Sequence, residues 1–490
     1  MSRSIALAIA VMALAVLAPG CATNSARSPD LKAIYEESAQ KIGSERNPVV
    51  VIPGILGSNL VEKGSGKVVW GAFTYGATDT DYPEGARLFC LPMRSGASLS
   101  ELTDDVEPDG VLESLEANVG LLKVNALEPY KGIIRSLAAG KYVDRDIARA
   151  SRAKTEAEGP IDYAGLHYTC FQFDYDWRRD ISESAARLDR LVRDAAGLAT
   201  DARADGRPAK VDVVAHSMGG LVALYYLRYG TQALPEDGSL PQPSWEGAKF
   251  IDQLIIVGTP SAGSVLALKQ MVEGVSYSPI TPTYQPAFLG TMPSIYELLP
   301  RTRHARVIDS QTRKAIDLYD VETWKKYNWG LADARQDRYV AWLLPDVGDA
   351  EQRRAIALDQ LSKCLKRAKQ LHAALDRPIG ESPVPIHLIA GDTIPTPSVI
   401  TVDHRSGQLT VSEQAPGDGT VTRASALMDE RTGGGWKARL DSPIAWSSVR
   451  FLQGDHIELT SNAPFTDDLL YLLLEAPRRH SATVALRAPD

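Results

Sequence analysis

Cysteine is scarce in this sequence: four residues among 490, at positions 21, 90, 170 and 364. No Cys-x-x-Cys pair and no Cys/His cluster with zinc-like spacing occurs, which argues against a structural metal site. Long runs of Lys or Arg are also missing. Basic side chains number 53 against 61 acidic ones, a formal charge of −8, so no electrostatic footprint for nucleic acid is present. Beyond the first twenty or so residues no stretch is apolar over the roughly 20 positions that a spanning helix requires. No self-similarity at periods of about 20 to 50 residues marks a repeat architecture. What remains is ordinary globular composition, 44% hydrophobic and 23% charged. The length fits roughly three average domains, or one catalytic α/β fold carrying insertions.

The N-terminus reads as an address. Arg3 supplies a short positive region, and Ile5 to Leu17 is a 13-residue apolar core, the length of a signal segment rather than a membrane span. The following Leu17-Ala18-Pro19-Gly20-Cys21 resembles the lipobox of bacterial lipoproteins. Residues 1–21 are therefore read as a lipoprotein-type signal peptide with Cys21 as the lipidation site, and 22–47 as a polar tether. Each buried acyl methylene contributes about 0.8 kcal/mol, so a multi-chain lipid on Cys21 holds the protein on a membrane. The expectation is an exported protein anchored in the bacterial cell envelope. With Cys21 so used, three cysteines remain, so at most one bridge forms and one thiol stays free.

Further along, β-branched and apolar runs alternate with helical patterns. Pro48 to Ile52, Tyr168 to Phe173, Val211 to Val214, Ile251 to Val257 and Ile386 to Ala390 read as buried strands of a parallel sheet. Ser182 to Leu198 and Gly220 to Arg228 read as helices between them. The alternation predicts an α/β fold, a mostly parallel sheet with helices on both faces. Its core is expected over 48–260 and 381–490. Two regions break the rhythm: 62–110, rich in Gly, Ser, Pro and aromatics, reads as a mobile lid-like loop rather than core, and 261–380 as a helical cap insertion. Within the cap, Leu358, Leu361, Leu365, Ala368, Leu371 and Leu375 recur at helical spacing. Lys363, Lys366, Arg367 and Lys369 fall on the other face, as in a cap helix packed on its neighbour.

The most specific local signal is Val213-Val214-Ala215-His216-Ser217-Met218-Gly219-Gly220, a G-x-S-x-G nucleophile elbow with Ala in place of the first Gly. A serine on a strained strand-to-helix turn needs small residues two positions to either side, and Ala215 and Gly219 supply them. Ser217 is thus the candidate nucleophile, which needs a base and a carboxylate to orient it, in the order Ser, acid, His. Of eight histidines, two precede Ser217, His304 and His372 fall in the cap, His387 lies in a strand and His480 in the tail. His404 and His456 remain, and His456, in a loop after Val449 to Leu452, is the better base. For the acid, Asp418 in a Gly-Asp-Gly turn and Asp392 after the strand Ile386 to Ala390 are both suitably placed, and composition does not separate them. The oxyanion donors are expected to be the N–H groups of Met218 and of Ile55, the latter in Pro53-Gly54-Ile55-Leu56-Gly57-Ser58.

In these residues and their order, the chain resembles the lecithin:cholesterol acyltransferase family. Val51 to Leu60 (VIPGILGSNL) is similar to the family's oxyanion strand and loop, and Tyr175-Asp176-Trp177-Arg178 to its Y-D-W-R signature. Ala215 to Gly219 is similar to its elbow, Phe250-Ile251-Asp252 through Gly258-Thr259-Pro260 to its next strand, Gly417 to Val421 to its acid loop, and His456 to its base. The resemblance implies an α/β-hydrolase fold, favours Asp418 over Asp392, and implies a lipid O-acyltransferase or phospholipase working through an acyl-enzyme, with no cofactor. It places Trp70, Phe73 and Tyr75 in lid and membrane-binding segments, as candidate lipid contacts beside Trp177, with Trp177 and Arg178 bracing the site. The expected partners are a phospholipid or other acyl lipid and a membrane surface. A carboxylesterase of soluble esters and a non-catalytic lipid-binding envelope protein are the competing readings.

Overall fold

The computed structural model describes residues 37–41, 46–73, 78–112, 115–119, 122–127, 130–146, 168–276, 282–431 and 437–476. The signal segment, Cys21 and Tyr75 lie outside the described residues. Main-sheet strands are β1 (Val49–Ile52), β2 (Cys170–Gln172), β3 (Val211–His216), β4 (Ile251–Val257), β5 (Ile386–Gly391) and β6 (Ser448–Leu452). They form one six-stranded sheet in the order β6-β5-β4-β3-β1-β2, parallel throughout. Strands β1, β3 and β5 are buried along their whole length, as continuous apolar runs covered on both faces should be.

The helices around the sheet are α1 (Lys131–Ala139), α2 (Ile181–Ala202), α3 (Met218–Tyr229), α4 (Val265–Glu273), α5 (Ala350–Asp376) and α6 (Ala463–Leu474). On one face Val50, Ile52, Val213, Ala215 and Ile256 pack with Leu188 and Val192 of α2 and Leu221 and Leu224 of α3. On the other, Val49, Val51, Val214, Ile255 and Val257 pack with Ile133 and Leu137 of α1 and Leu469 and Leu473 of α6. The period-2 alternation of the strands feeds both layers. Asp180 caps α2 by accepting from the Ser182 N–H, and Gly230 ends α3 at φ 61°. Chain order reverses between β1 and β3: β1 is followed by β2 on one side, and β3 returns on the other. Ligand crevices form at such a switch point, beyond the carboxyl ends of the strands.

Among its described residues, the region 62–110 forms paired strands and a helix rather than a mobile loop. Strand Val68–Trp70 pairs antiparallel with Ser58–Glu62, which pairs in turn with Val106–Val111, and Pro83–Phe89 is a helix. Val69, Trp70, Phe89, Leu99 and Leu102 belong to the main core. Their partners are remote in sequence, which is why local composition read as loop.

In the cap, α5 buries Leu361, Leu365, Ala368, Leu371 and Leu375 along one side, while Leu358 is only half-buried. Of the basic residues expected on the other face, Arg367 does not lie toward solvent. It is buried, donating to Asp180 Oδ2 at 2.9 Å and Glu236 Oε1 at 2.8 Å, because the second oxygen of the α2 cap residue faces α5. Cys90, Cys170 and Cys364 are all free and buried, so no bridge joins them. Among the described residues no helix is long and apolar enough to cross a membrane.

Candidate active site

Strand β3 delivers Ser217 to the turn before α3. Its backbone has φ 53° and ψ −128°, a region that non-glycine residues rarely enter and that costs about 1–3 kcal/mol. The surroundings fix it there. The Ser217 N–H donates to Val257 O at 2.8 Å, and its carbonyl accepts from the Gly220 N–H at 3.0 Å and Thr259 Oγ1 at 2.8 Å. Close packing explains the glycines. A Cβ on Gly219 would lie 2.4 Å from Pro53 O, and one on Gly54 would lie 2.7 Å from Ser217 Cβ.

Two loops converge on this serine. His456, beyond β6, sits with Nε2 2.9 Å from Ser217 Oγ and Nδ1 2.7 Å from Asp418 Oδ2. A carboxylate only accepts, so Nδ1 carries the proton and Nε2 presents its lone pair to the serine hydroxyl. Asp418 follows strand Leu409–Gly417 and is 1% exposed. Burial alone would push its carboxyl up. The adjacent His456 and the N–H groups of Val421 and Thr420 outweigh burial and hold it below the ordinary carboxylate value. The backbone contributes as well, since the His456 N–H donates to Asp418 O at 2.9 Å.

The alternatives lie elsewhere. Asp392 pairs with Arg423 at 3.0 Å, and His404 Nδ1 contacts Asp309 Oδ2 at 2.6 Å. Met218 heads α3, where the first N–H groups have no intrahelical acceptor. Ile55 is half-buried in the loop after β1, and both it and Ser217 line a cavity of about 280 Å³. Trp70, Leu112, Leu266, Leu298 and Ile457 make its wall apolar. A smaller chamber of about 70 Å³ adjoins it, sharing Trp70 and Leu298 and extending to Phe89, Trp177 and Tyr284.

Of the candidate lipid contacts, Trp70 is buried at 3% exposure rather than displayed, and its Nε1–H donates to Leu56 O at 2.8 Å. Its ring meets Trp177 and Tyr284 edge-on at 5.7 and 5.8 Å. Trp177 is fully buried and donates to Ser58 O at 3.3 Å. Phe73 ends a short strand, and its side chain lies outside the described residues. Arg178 grips Asp176 through two bonds of 2.8 Å, pairs with Asp104 at 2.8 Å and donates to Phe89 O at 3.1 Å. Tyr175 donates to Pro53 O at 2.9 Å. The Tyr-Asp-Trp-Arg segment thus ties the loop after β1 to residues 88–104.

Sequence reasoning assigned no role to Thr259, Tyr130 or His216. Thr259 stands in the Gly258-Thr259-Pro260 motif, so its position is visible in the sequence though its bond is not. Tyr130 carries no local signal. Its hydroxyl accepts from the Gly54 N–H at 2.8 Å, a contact across 76 positions. His216 faces away from Ser217 Oγ, with Nε2 bonded to His456 O at 2.9 Å. Among the described residues no group of three His, Cys, Asp or Glu side chains is placed to hold a metal ion.

The family model for lecithin:cholesterol acyltransferase matches residues 167–421, just over half of the chain. Among solved structures, the chain is similar to one in the crystal structure of the Tle4–Tli4 complex, with TM-score 0.51 and 17% identity over 88% of this chain and 98% of that one. At that identity what the two share is the fold. Bacillus licheniformis lipase BlEst2 in its propeptide form aligns with TM-score 0.33 and 11% identity over 91% of this chain and 54% of that one. For EstA from Clostridium botulinum the TM-score is 0.31 and the identity 11%, over 90% of each chain. No curated protein sequence matches.

Proposed function

The chain belongs to the lecithin:cholesterol acyltransferase family and is an acyl-ester hydrolase or acyltransferase; from that premise we propose that it cleaves lipid esters through an acyl-enzyme on Ser217. The observation that carries this reading is the run of contacts from Ser217 Oγ to His456 at 2.9 Å and on to Asp418 at 2.7 Å, beside an apolar cavity. Ser217 Oγ attacks the ester carbonyl while His456 Nε2 takes its proton. Asp418 holds the Nδ1–H tautomer and stabilises the imidazolium. The oxyanion is received by the N–H groups of Ile55 and Met218, each worth about 100- to 1,000-fold in rate. Collapse expels the alcohol, which leaves with the proton from His456. Water or a lipid hydroxyl then attacks the acyl-serine, with His456 as base, and frees Ser217.

Phospholipids or other acyl lipids are the proposed substrates, met at a membrane surface to which Cys21 tethers the protein from the exported side. The test is product analysis by mass spectrometry on mixed phospholipid vesicles carrying a sterol, with Ser217→Ala as control. New sterol esters absent from the control mark a transferase, and free fatty acid alone marks a hydrolase. A Ser217→Ala variant that turns over like the wild type would sink the acyl-enzyme reading.

A further inference from the structure

The groups expected to act on one carbonyl reach Ser217 from strands that are not neighbours. The loop bearing Ile55 follows β1, and the loop bearing His456 follows β6, with β3, β4 and β5 between them. Two buried side chains in the wall of the cavity connect these loops. We propose that Tyr130 and His216 form a clamp that positions the oxyanion loop and the base loop on either side of Ser217. The inference rests on the acyl-enzyme reading above.

The contacts run without a break. Tyr130 Oη accepts the Gly54 N–H at 2.8 Å, which fixes the Pro53–Gly54 peptide, the one before the peptide that carries the Ile55 N–H. The loop is closed down onto the ring: a Cβ on Gly57 would lie 2.6 Å from Tyr130 Oη, so only glycine fits. Tyr130 then meets the His216 ring edge-on, with centroids 5.6 Å apart at 73°. His216 Nε2 lies 2.9 Å from His456 O, and the two imidazoles are 4.9 Å apart. Both clamp residues are buried, at 3% and 1% exposure.

A backbone carbonyl only accepts, so the His216 proton is on Nε2 and its Nδ1 lone pair faces the protein interior. That nitrogen is buried with no hydrogen-bond partner. Burial pushes His216 down to about 3, so it stays neutral beside His456 and adds no second positive charge when His456 takes the serine proton. Neither clamp residue supplies the nucleophile, the base or the acid. Both act by holding groups that do.

The experiment uses the mature chain with Tyr130→Phe, His216→Phe, His216→Gln and Ser217→Ala. Turnover of a short p-nitrophenyl ester and the rate of fluorophosphonate labelling are read per titrated site, beside the thermal midpoint. Misplacing a reacting group by about 1 Å costs up to about 100-fold, so Tyr130→Phe and His216→Phe are expected to lose about 10- to 100-fold in kcat with KM little changed. Labelling slows in parallel. His216→Gln keeps an amide donor for the same carbonyl and recovers most of the rate. Wild-type kcat per site in both Phe variants, whatever their midpoints, would overturn the clamp. Should Tyr130→Phe not fold, equal rates for His216→Gln and His216→Phe would overturn it as well. Turnover by Ser217→Ala instead strikes the acyl-enzyme reading, and the two failures are told apart.

Discussion

The floor and the roof of the cavity are built by different means. On the floor, Ser217, Asp418 and His456 stand just past strand ends, and backbone bonds such as Ser217 N–H to Val257 O and His456 N–H to Asp418 O set their positions. The roof, drawn from residues 58–112 and the cap, is assembled by side chains. Trp70, Phe89, Trp177 and Tyr284 interlock, and Arg178 joins Asp176, Asp104 and the Phe89 carbonyl. Backbone-set positions are stiff because they continue the pairing at strand ends, whereas side-chain-set ones depend on partners scattered through the chain. The floor is therefore expected to govern rate and the roof stability.

The sharpest way to break this contrast is at the carboxylates. Asp418→Asn leaves its one oxygen to the Thr420 and Val421 N–H groups and turns an NH2 toward His456 Nδ1, which forces the wrong tautomer and is expected to lower kcat about 10⁴-fold, with the urea midpoint little moved. Asp392→Asn, which only frees Arg423, is expected to leave fatty-acid release close to wild type. Equal losses from both would mean that the floor does not work as described. Next comes Arg178→Met in the roof. It strands two carboxylates, one fully enclosed, and is expected to cost about 3–5 kcal/mol in urea unfolding while turnover per folded molecule survives. A variant with unchanged unfolding but lost activity would reverse the assignment.

The smallest effect concerns acid. His216 on the floor and His372 in the cap are each pushed down to about 3, chiefly by burial. The unfolded chain protonates them near pH 6.5, so between about pH 6.5 and 3 it binds more protons and the fold loses stability as pH falls. Each group contributes about 1.4 kcal/mol per pH unit well inside that window. His372→Gln is therefore expected to flatten the stability slope between pH 6 and pH 4 by about one proton. An unaltered slope would show that His372 is not held neutral.

Legibility in the sequence followed the same division. Val211 to Val214, Ile251 to Val257 and the elbow announced themselves, because a fully buried parallel strand and a strained serine turn both require particular residues at adjacent positions. Gly54 and Gly57 were visible as glycines, but the reasons were not. One avoids Ser217 and the other Tyr130, and both are contacts that only the fold creates. Residues 62–110 read as loop because the partners of Trp70 and Phe89 lie between 177 and 284, beyond the reach of any local pattern. Arg367 was misplaced for the same reason. Helical periodicity assigns a face, but it cannot see Asp180 waiting opposite. Asp418 and Asp392 were separable only by resemblance, since both stand in loops beyond strands of the same half of the chain.

The three buried thiols have a use beyond packing. Cys170 opens β2 in the floor, Cys90 caps a roof helix and Cys364 lies within α5 of the cap. Burial raises all three thiols, so each stays protonated and inert toward alkylating reagents while enclosed. The molecule thus carries its own opening recorder, one thiol per region. The order in which iodoacetamide tags the three positions, in native buffer and then over lipid vesicles, writes down which part of the protein breathes first.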